Sequence, residues 1–301
     1  MQMEVDIEFP PSFDINYCRA AYPQLKDFSD EELTKYFLPI AEEEGLPTCV
    51  YDKREFLQPL LQEGINQYAL KVLEIGPFDN PFLSGDSVKY FDVLDTEKLK
   101  ERAKIHNRSF NRTPPKVHYV EPTGNLKIVY EKFDIVFSSH VIEHQPNLIR
   151  ELNHVENILN DGGLYILFIP DKRYCFDYYR PTSKLSDVLS AFMRNASLHS
   201  AKSIAEHFCM TTHNNPINHW RGDHGELNIT KEKILNAKNV YEKSVHGGGY
   251  VDVHAWAFTP QIFGDIIEKL NRLDLINLKL YRLCHTLIGR QEFCCILKKI
   301  L

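Results

Sequence analysis

Eight side chains able to move a proton or hold a metal fall within about fifty residues: His207, His213, His219, Asp223, His224, His246, Asp252 and His254. A neutral imidazole has an ordinary pKa of about 6.5, so it can take a proton from a substrate hydroxyl at cellular pH. His219 is the first candidate base. Its neighbours Trp220, Arg221 and Asp223 offer an apolar wall, an anion clamp and an acid to orient the ring. His224 and His254 are the alternates, and Asp171 is a candidate acidic base. Asp252-Val-His254 also has the Asp-x-His form that can carry a metal. The other spacings fit no familiar ligand pattern, and His-Glu-x-x-His is absent, so no essential metal is expected.

A second group of polar residues sits at the ends of short apolar runs. Leu70-Lys-Val-Leu-Glu-Ile-Gly-Pro-Phe-Asp-Asn-Pro81 reads as a buried strand that delivers a tight turn. Lys89-Tyr-Phe-Asp92-Val-Leu-Asp95 places an acid at the end of another strand. Glu121 follows a third, and Ser138-Ser-His-Val-Ile-Glu-His144 follows a fourth. His140 and His144 are four apart, so in a helical turn they share a face. Ligands of open α/β sheets bind just outside the carboxyl ends of the strands.

The elements that position these groups alternate. Strands are expected at 72–75, 88–93, 117–120, 133–138 and 164–169, with helices from Thr96 to about Ile105 and from near Pro146 to Gly162-Gly163. The second of these helices carries the stripe Leu148, Ile149, Leu152, Val155, Ile158 and Leu159. A last helix opens at Thr259-Pro260 with Ile262, Phe263, Ile266, Ile267 and Leu270 on one face. Strands at 275–283 and 292–297 close the chain, the second placing Cys294 and Cys295 on opposite faces. Residues 1–66 read as an N-terminal helical cap, with Ser29 and Glu32 as a capping box and a helix over Lys53–Gly64. Residues 67–301 form the α/β domain, and about 171–250, ending in Gly247-Gly-Gly249, is a His-rich insertion after strand five. The Asp252-Val-His254 stretch reads as strand-like. The fold class is α/β: a doubly wound, mostly parallel seven-stranded sheet with one antiparallel strand.

The chain has 301 residues, 43% hydrophobic and 25% charged, enough for a sizeable core. A net charge of −6 with scattered Lys and Arg argues against nucleic acid as a partner. No apolar run reaches the length of a membrane span, and the acid-rich start, Met1 to Phe9, is unlike a signal peptide. Seven cysteines without a Cys-x-x-Cys pair suggest reduced thiols and a cytoplasmic protein.

Together these segments resemble the class I S-adenosylmethionine-dependent methyltransferases. Glu74-Ile-Gly76 matches the start of their Glu-x-Gly-x-Gly-x-Gly motif, although the later glycines are replaced in Gly76-Pro-Phe-Asp-Asn-Pro81. The absent Gly-x-Gly-x-x-Gly pattern counts against a dinucleotide enzyme. The resemblance implies a cofactor set of Glu74, Gly76, Pro77, Asp79, Asp92, Glu121, Ser139 and His140. Asp92 would hold the ribose hydroxyls and Glu121 the adenine amino group; Asp95 instead suits a helix cap. Pro170-Asp-Lys-Arg-Tyr-Cys-Phe-Asp177 and Asp252-Val-His-Ala-Trp-Ala-Phe-Thr-Pro260 are similar to methyltransferase domains of polysaccharide biosynthesis. That likeness implies a sugar or glycan hydroxyl as methyl acceptor. Two alternatives stand beside it: a methyltransferase-like binding module without chemistry, and a metal-dependent glycosyltransferase using Asp252 and His254.

Overall fold

The computed structural model describes residues 7, 9, 11–109, 113–114, 116–247 and 251–300. The start of the chain, Met1 to Asp6, and Gly248-Gly249 at the end of the expected insertion lie outside the described residues.

Seven strands form one sheet: β1 (Val72–Ile75), β2 (Val88–Asp92), β3 (Tyr119–Val120), β4 (Phe133–Ser139), β5 (Leu159–Pro170), β6 (Leu278–Cys284) and β7 (Glu292–Lys299). Their order is β3-β2-β1-β4-β5-β7-β6. The first five pair in parallel, and β7 runs antiparallel to both β5 and β6. The order reverses between β1 and β4, which makes their carboxyl ends the switch point where a ligand fits.

The period of two along each strand splits the core into two layers. Leu73, Ile75, Val136, Leu167, Ile169 and Cys295 face one layer, with the helix stripes of 148–158 and 260–272. Val72, Ile135, Phe137, Ile166, Phe168 and Cys294 face the other, against Leu57, Leu61 and Ile65. Both faces of the central strands are covered, so residues 164–169 of β5 are apolar throughout. The adjacent cysteines do point to opposite faces.

Helix starts follow local chemistry. Ser29 and Glu32 form both hydrogen bonds of the capping box. Asp95 accepts from Lys98 N at 2.9 Å and so caps Thr96–Ile105. Thr259 caps Pro260–Arg272, whose first residue needs no amide donor.

The structure departs from the sequence reading at several boundaries. The helix after β4 spans Leu148–Ile158, capped by Asn147 rather than opened by Pro146. Gly162-Gly163 does not end it. β5 already begins at Leu159 and takes these glycines inside the strand, where its pairing with β4 shifts between Phe133 and Ile135. A Cβ on Gly163 would stand 2.8 Å from Asn160 O, so this irregularity requires a glycine. β3 is only two residues long, and β6 starts at Leu278 rather than 275. The first-segment helix over Lys53–Gly64 continues to Tyr68. Asp252-Val-His254 is not a strand: Val253 N donates to Val251 O at 3.1 Å, which makes a tight turn at Asp252. Between β5 and the last helix lie four helices: Leu185–Met193, Ala201–Cys209, Pro216–Trp220 and Lys231–Val245. No helix among the described residues is long and apolar enough to cross a membrane.

Leu152 is fully buried in the first layer. Leu152→Ala should lower unfolding free energy by about 2–5 kcal/mol through lost burial and a residual cavity. A denaturant midpoint unchanged from wild type would contradict this packing.

Candidate active site

β1 ends at Ile75, and the chain turns at Gly76 with φ of 71°. Gly76 N donates to Phe91 O at 2.9 Å, so the turn is tied to β2. A Cβ here would stand 2.8 Å from Val141 Cγ2, just beyond β4. Both the left-handed backbone and the close approach therefore require glycine. His140, beside Val141, is also left-handed, with φ of 56°, a rare state for a residue with a side chain. His140 and His144 are not on one helical turn as expected: a short 3-10 turn, Ile142–His144, intervenes. The cleft nevertheless brings them together.

That cleft lies at the switch point and offers about 860 Å³, part of it open to solvent. Gly76, Phe78, Asp92, Leu99, Thr123 and Gly124 line it. His140, His144, Gln145, Arg102 and Asp252 complete it. Asp92 is 7% exposed, and Asp92 Oδ1 accepts from Leu94 N at 3.1 Å. Burial pushes its carboxyl up to about 6, against the pull of the nearby backbone amides. Arg102 and Asp252 meet at 2.5 Å across the rim.

Of the cofactor residues named from the sequence, Gly76, Asp92 and His140 line the cleft. Glu74 instead braces the loop below it, accepting from Phe82 N at 2.7 Å and Leu83 N at 3.0 Å. Burial raises its carboxyl to about 7. Pro77, Asp79, Glu121 and Ser139 stand beside the wall. Asp79 pairs with Arg108 at 3.4 Å. Glu121 accepts from Thr123 and Asn125 and so shapes the turn that presents Gly124. Ser139 hydrogen-bonds Lys53, and His140 hydrogen-bonds Glu292.

The candidate bases separate. His219 is buried in the insertion, where Nε2 donates to His213 O at 3.1 Å and Nδ1 lies 3.1 Å from His224 Nδ1. Both nitrogens are occupied, which leaves no lone pair for a substrate proton. Trp220 stacks on Tyr174 at 3.8 Å and His224 on Tyr178 at 3.6 Å, so this cluster packs the insertion and lines none of the cleft. Asp171 is fully buried, clamped by Arg173 at 2.7 Å and by Thr286 at 2.7 Å. It too stays outside the cleft. His254 is different: its ring stands edge-on to His144 at 4.6 Å, directly behind the wall. Its segment is pinned there by Ala255 N donating to Glu143 O at 2.6 Å and by Trp256 Nε1 donating to Gln145 O at 2.7 Å.

Several wall residues escaped sequence reasoning. Phe78 lies in the turn already singled out, but its aromatic ring gave no polar signal. Arg102 looked like one charge on a solvated helix. Glu143, behind the wall rather than in it, stands in the His-x-x-Glu-His run, whose spacing does not show that it is buried.

A family model described as a methyltransferase domain matches residues 34–216. The chain belongs to this family. It is a methyltransferase, and its cofactor is S-adenosylmethionine. The family match favours a methyltransferase over the glycosyltransferase. No curated protein matches the chain. Similar solved structures include an S-adenosylmethionine-dependent methyltransferase from Clostridium acetobutylicum, at 11% identity and a TM-score of 0.41, covering 89% of this chain and 99% of that one. The CcbJ methyltransferase from Streptomyces caelestis shares 11% identity with a TM-score of 0.38, over 76% and 89% of the two chains. The trans-methyltransferase CalH, in complex with SAH, shares 12% with a TM-score of 0.38, over 89% of this chain and 61% of its own. These likenesses are loose, and the family match carries the assignment.

Gly76→Ala should destabilise the methyltransferase by about 1–2 kcal/mol from the left-handed backbone alone. The added methyl also meets Val141, so Gly76→Ala with Val141→Ala should recover part of the loss. Equal unfolding midpoints for Gly76→Ala and wild type would remove the constraint.

Proposed function

We propose that this methyltransferase transfers a methyl group to a hydroxyl of a sugar or glycan. The observation that carries the reading is a second, polar cleft on the far side of His140. It is lined by Asp52, Lys53, Asn80, His285, Arg290 and Glu292 among others. Glu292, in its wall, is the hydrogen-bond partner of His140 in the wall of the first cleft. A polyhydroxylated acceptor needs a dense mix of donors and acceptors, and this cleft supplies it. The body of the acceptor would then lie in this cleft, with its reacting hydroxyl reaching past His140 into the first cleft beside the methyl donor.

The first cleft fits the cofactor. Backbone at Gly76 lets a ligand approach where any side chain would collide with Val141. Asp92 has a carboxylate to accept from a ribose diol, and Thr123-Gly124 lies where an adenine edge would sit. S-adenosylmethionine supplies an already activated methyl group, so the protein's task is alignment and removal of the acceptor's proton. His140 lines the cleft and stands closest to that task; His144 lines it beside His140, with His254 behind.

Asp92 must be ionised to accept from both ribose hydroxyls. Its folded-state pKa of about 6 means that acid protonates it and weakens binding. Affinity for S-adenosylhomocysteine should be roughly tenfold lower at pH 5 than at pH 7. Asp92→Ala should cost about 1.5–3 kcal/mol of binding at pH 7 and flatten the pH profile. Calorimetry at both pH values checks this, and an unaltered dissociation constant in folded Asp92→Ala removes the residue from the site.

The acceptor is tested with methyl-labelled cofactor against sugar nucleotides, free glycans, phenols and peptide amines. Label on a sugar oxygen, located by mass spectrometry, is the expected result. Transfer confined to phenol, nitrogen or carbon acceptors would overturn the reading.

A further inference from the structure

Glu143 follows β4 and is 1% exposed, yet neither carboxylate oxygen has a hydrogen-bond partner among the described residues. Buried polar groups are nearly always satisfied, and a buried carboxylate left alone is expensive. What surrounds it is nitrogen. Glu143 Oε1 lies 3.8 Å from His144 Nε2, 3.8 Å from His254 Nε2 and 3.8 Å from His140 Nδ1. Ligand atoms, one each from Glu143, His144 and His254, lie within 4.8 Å of one another.

The other side of each ring decides what these nitrogens can do. His254 Nδ1 is 2.5 Å from Asp177 Oδ2, and His144 Nδ1 is 3.2 Å from Asp252 Oδ1. The hydrogen bond to Asp177 holds the His254 proton at Nδ1 and leaves its Nε2 lone pair free, and the charge of Asp252 beside His144 Nδ1 favours the same tautomer there. Both Nε2 atoms face Glu143. Asp177 is fixed in turn by the buried Arg180 at 2.9 Å, which also donates to His254 O at 3.0 Å. Carboxylates that orient two imidazoles in this way are the outer shell of a metal site.

We propose that Glu143, His144 and His254 bind one divalent transition-metal ion in the wall of the cofactor cleft, with Asp252 and Asp177 orienting the two rings. Two ligands held at about 2.1 Å around a tetrahedral ion are roughly 3.4 Å apart, so an ion would draw the Glu143 oxygen and each Nε2 together by a few tenths of an ångström from their 3.8 Å spacing. Two imidazoles and one carboxylate favour zinc, cobalt, manganese or iron over magnesium or calcium, which take oxygen ligands. Three protein ligands leave a position open, as catalytic sites do. His144 lines the cleft, so the open position is on the cofactor side.

This departs from the expectation of no metal, which rested on spacing along the chain. Glu143 and His144 are adjacent, and His254 arrives from far away in sequence, so no local motif could show the set. The role of the ion, though not its binding, rests on transfer to a hydroxyl. An acceptor oxygen in the open position would be acidified. Its proton leaves to water, the oxygen–carbon bond forms as the carbon–sulfur bond breaks, and the sulfonium becomes a neutral thioether.

The test uses the full chain, stripped with chelator and titrated with Co²⁺ by visible absorption, then with Zn²⁺ against a fluorescent chelator. One equivalent should bind, with a d–d spectrum of mixed nitrogen and oxygen ligation. Asp177→Asn should weaken binding by roughly 10–100-fold, the usual effect of losing an outer-shell partner. Glu143→Gln should weaken it further while circular dichroism and S-adenosylhomocysteine affinity persist. If Glu143→Gln does not fold, His254→Gln replaces it. Absence of stoichiometric Co²⁺ or Zn²⁺ binding by wild type overturns the proposal, as does wild-type affinity in the folded ligand variants. A protein that binds the ion and cofactor but methylates no hydroxyl overturns the acceptor reading and leaves the metal site standing.

Discussion

The site depends on β1 lying directly against β4. Parallel pairing from Val72 with Ile135 to Ile75 with Ser138 brings two carboxyl ends level, so the turns that follow leave from one line. Gly76 and Val141 then touch across that line, and the missing Cβ is the space between them. A one-residue slip would exchange the layers into which these strands point, burying Glu74 in the wrong one. The two-layer core is therefore what holds the cleft open at its required width.

Around this junction the polar groups form a continuous set of contacts. Arg102 meets Asp252, Asp252 meets His144, and His144 stands against His254. His254 is held by Asp177, and Asp177 by Arg180, with Arg180 and Asp177 almost wholly buried. Such buried charges are tolerated only when each is paired, and losing one partner leaves the next uncompensated. The insertion is thus joined to the sheet through charge as much as through apolar packing. This explains why His219 and His254, both in a His-rich stretch, behave so differently. His219 has neighbours only within the insertion, whereas His254 lies on the segment that returns to the sheet.

Much of the fold was legible in the sequence because period and punctuation agreed. The apolar run of β5, the stripe from Leu148 to Ile158 and the Thr259-Pro260 helix start all follow from local rules. Gly162-Gly163 misled because two glycines after a helical stripe look like a stop signal, while here they mark an irregular strand. The candidate cleft was partly legible: Gly76, Asp92 and His140 each stand at the end of a readable strand. Residues such as Asp171 and Glu121 share that placement but spend their hydrogen bonds on structure, and a sequence does not say where a carboxylate's lone pairs go. The pairing of His144 with His254 was illegible for a plainer reason. It is a contact between distant segments, made by backbone bonds from Ala255 and Trp256 to the carbonyl of Glu143.

The position of β7 has a consequence for assembly order. β7 sits between β5 and β6, although it follows both in the chain. During synthesis the outer edge of β5 must stay unpaired while the insertion, the Pro260–Arg272 helix and β6 emerge. β6 cannot join the sheet by itself, since its sole partner there is β7. An exposed edge of apolar strand invites pairing with other chains. The last strand thus closes the sheet as a wedge, and a nascent chain halted before Glu292 would leave the ribosome with a sticky seam.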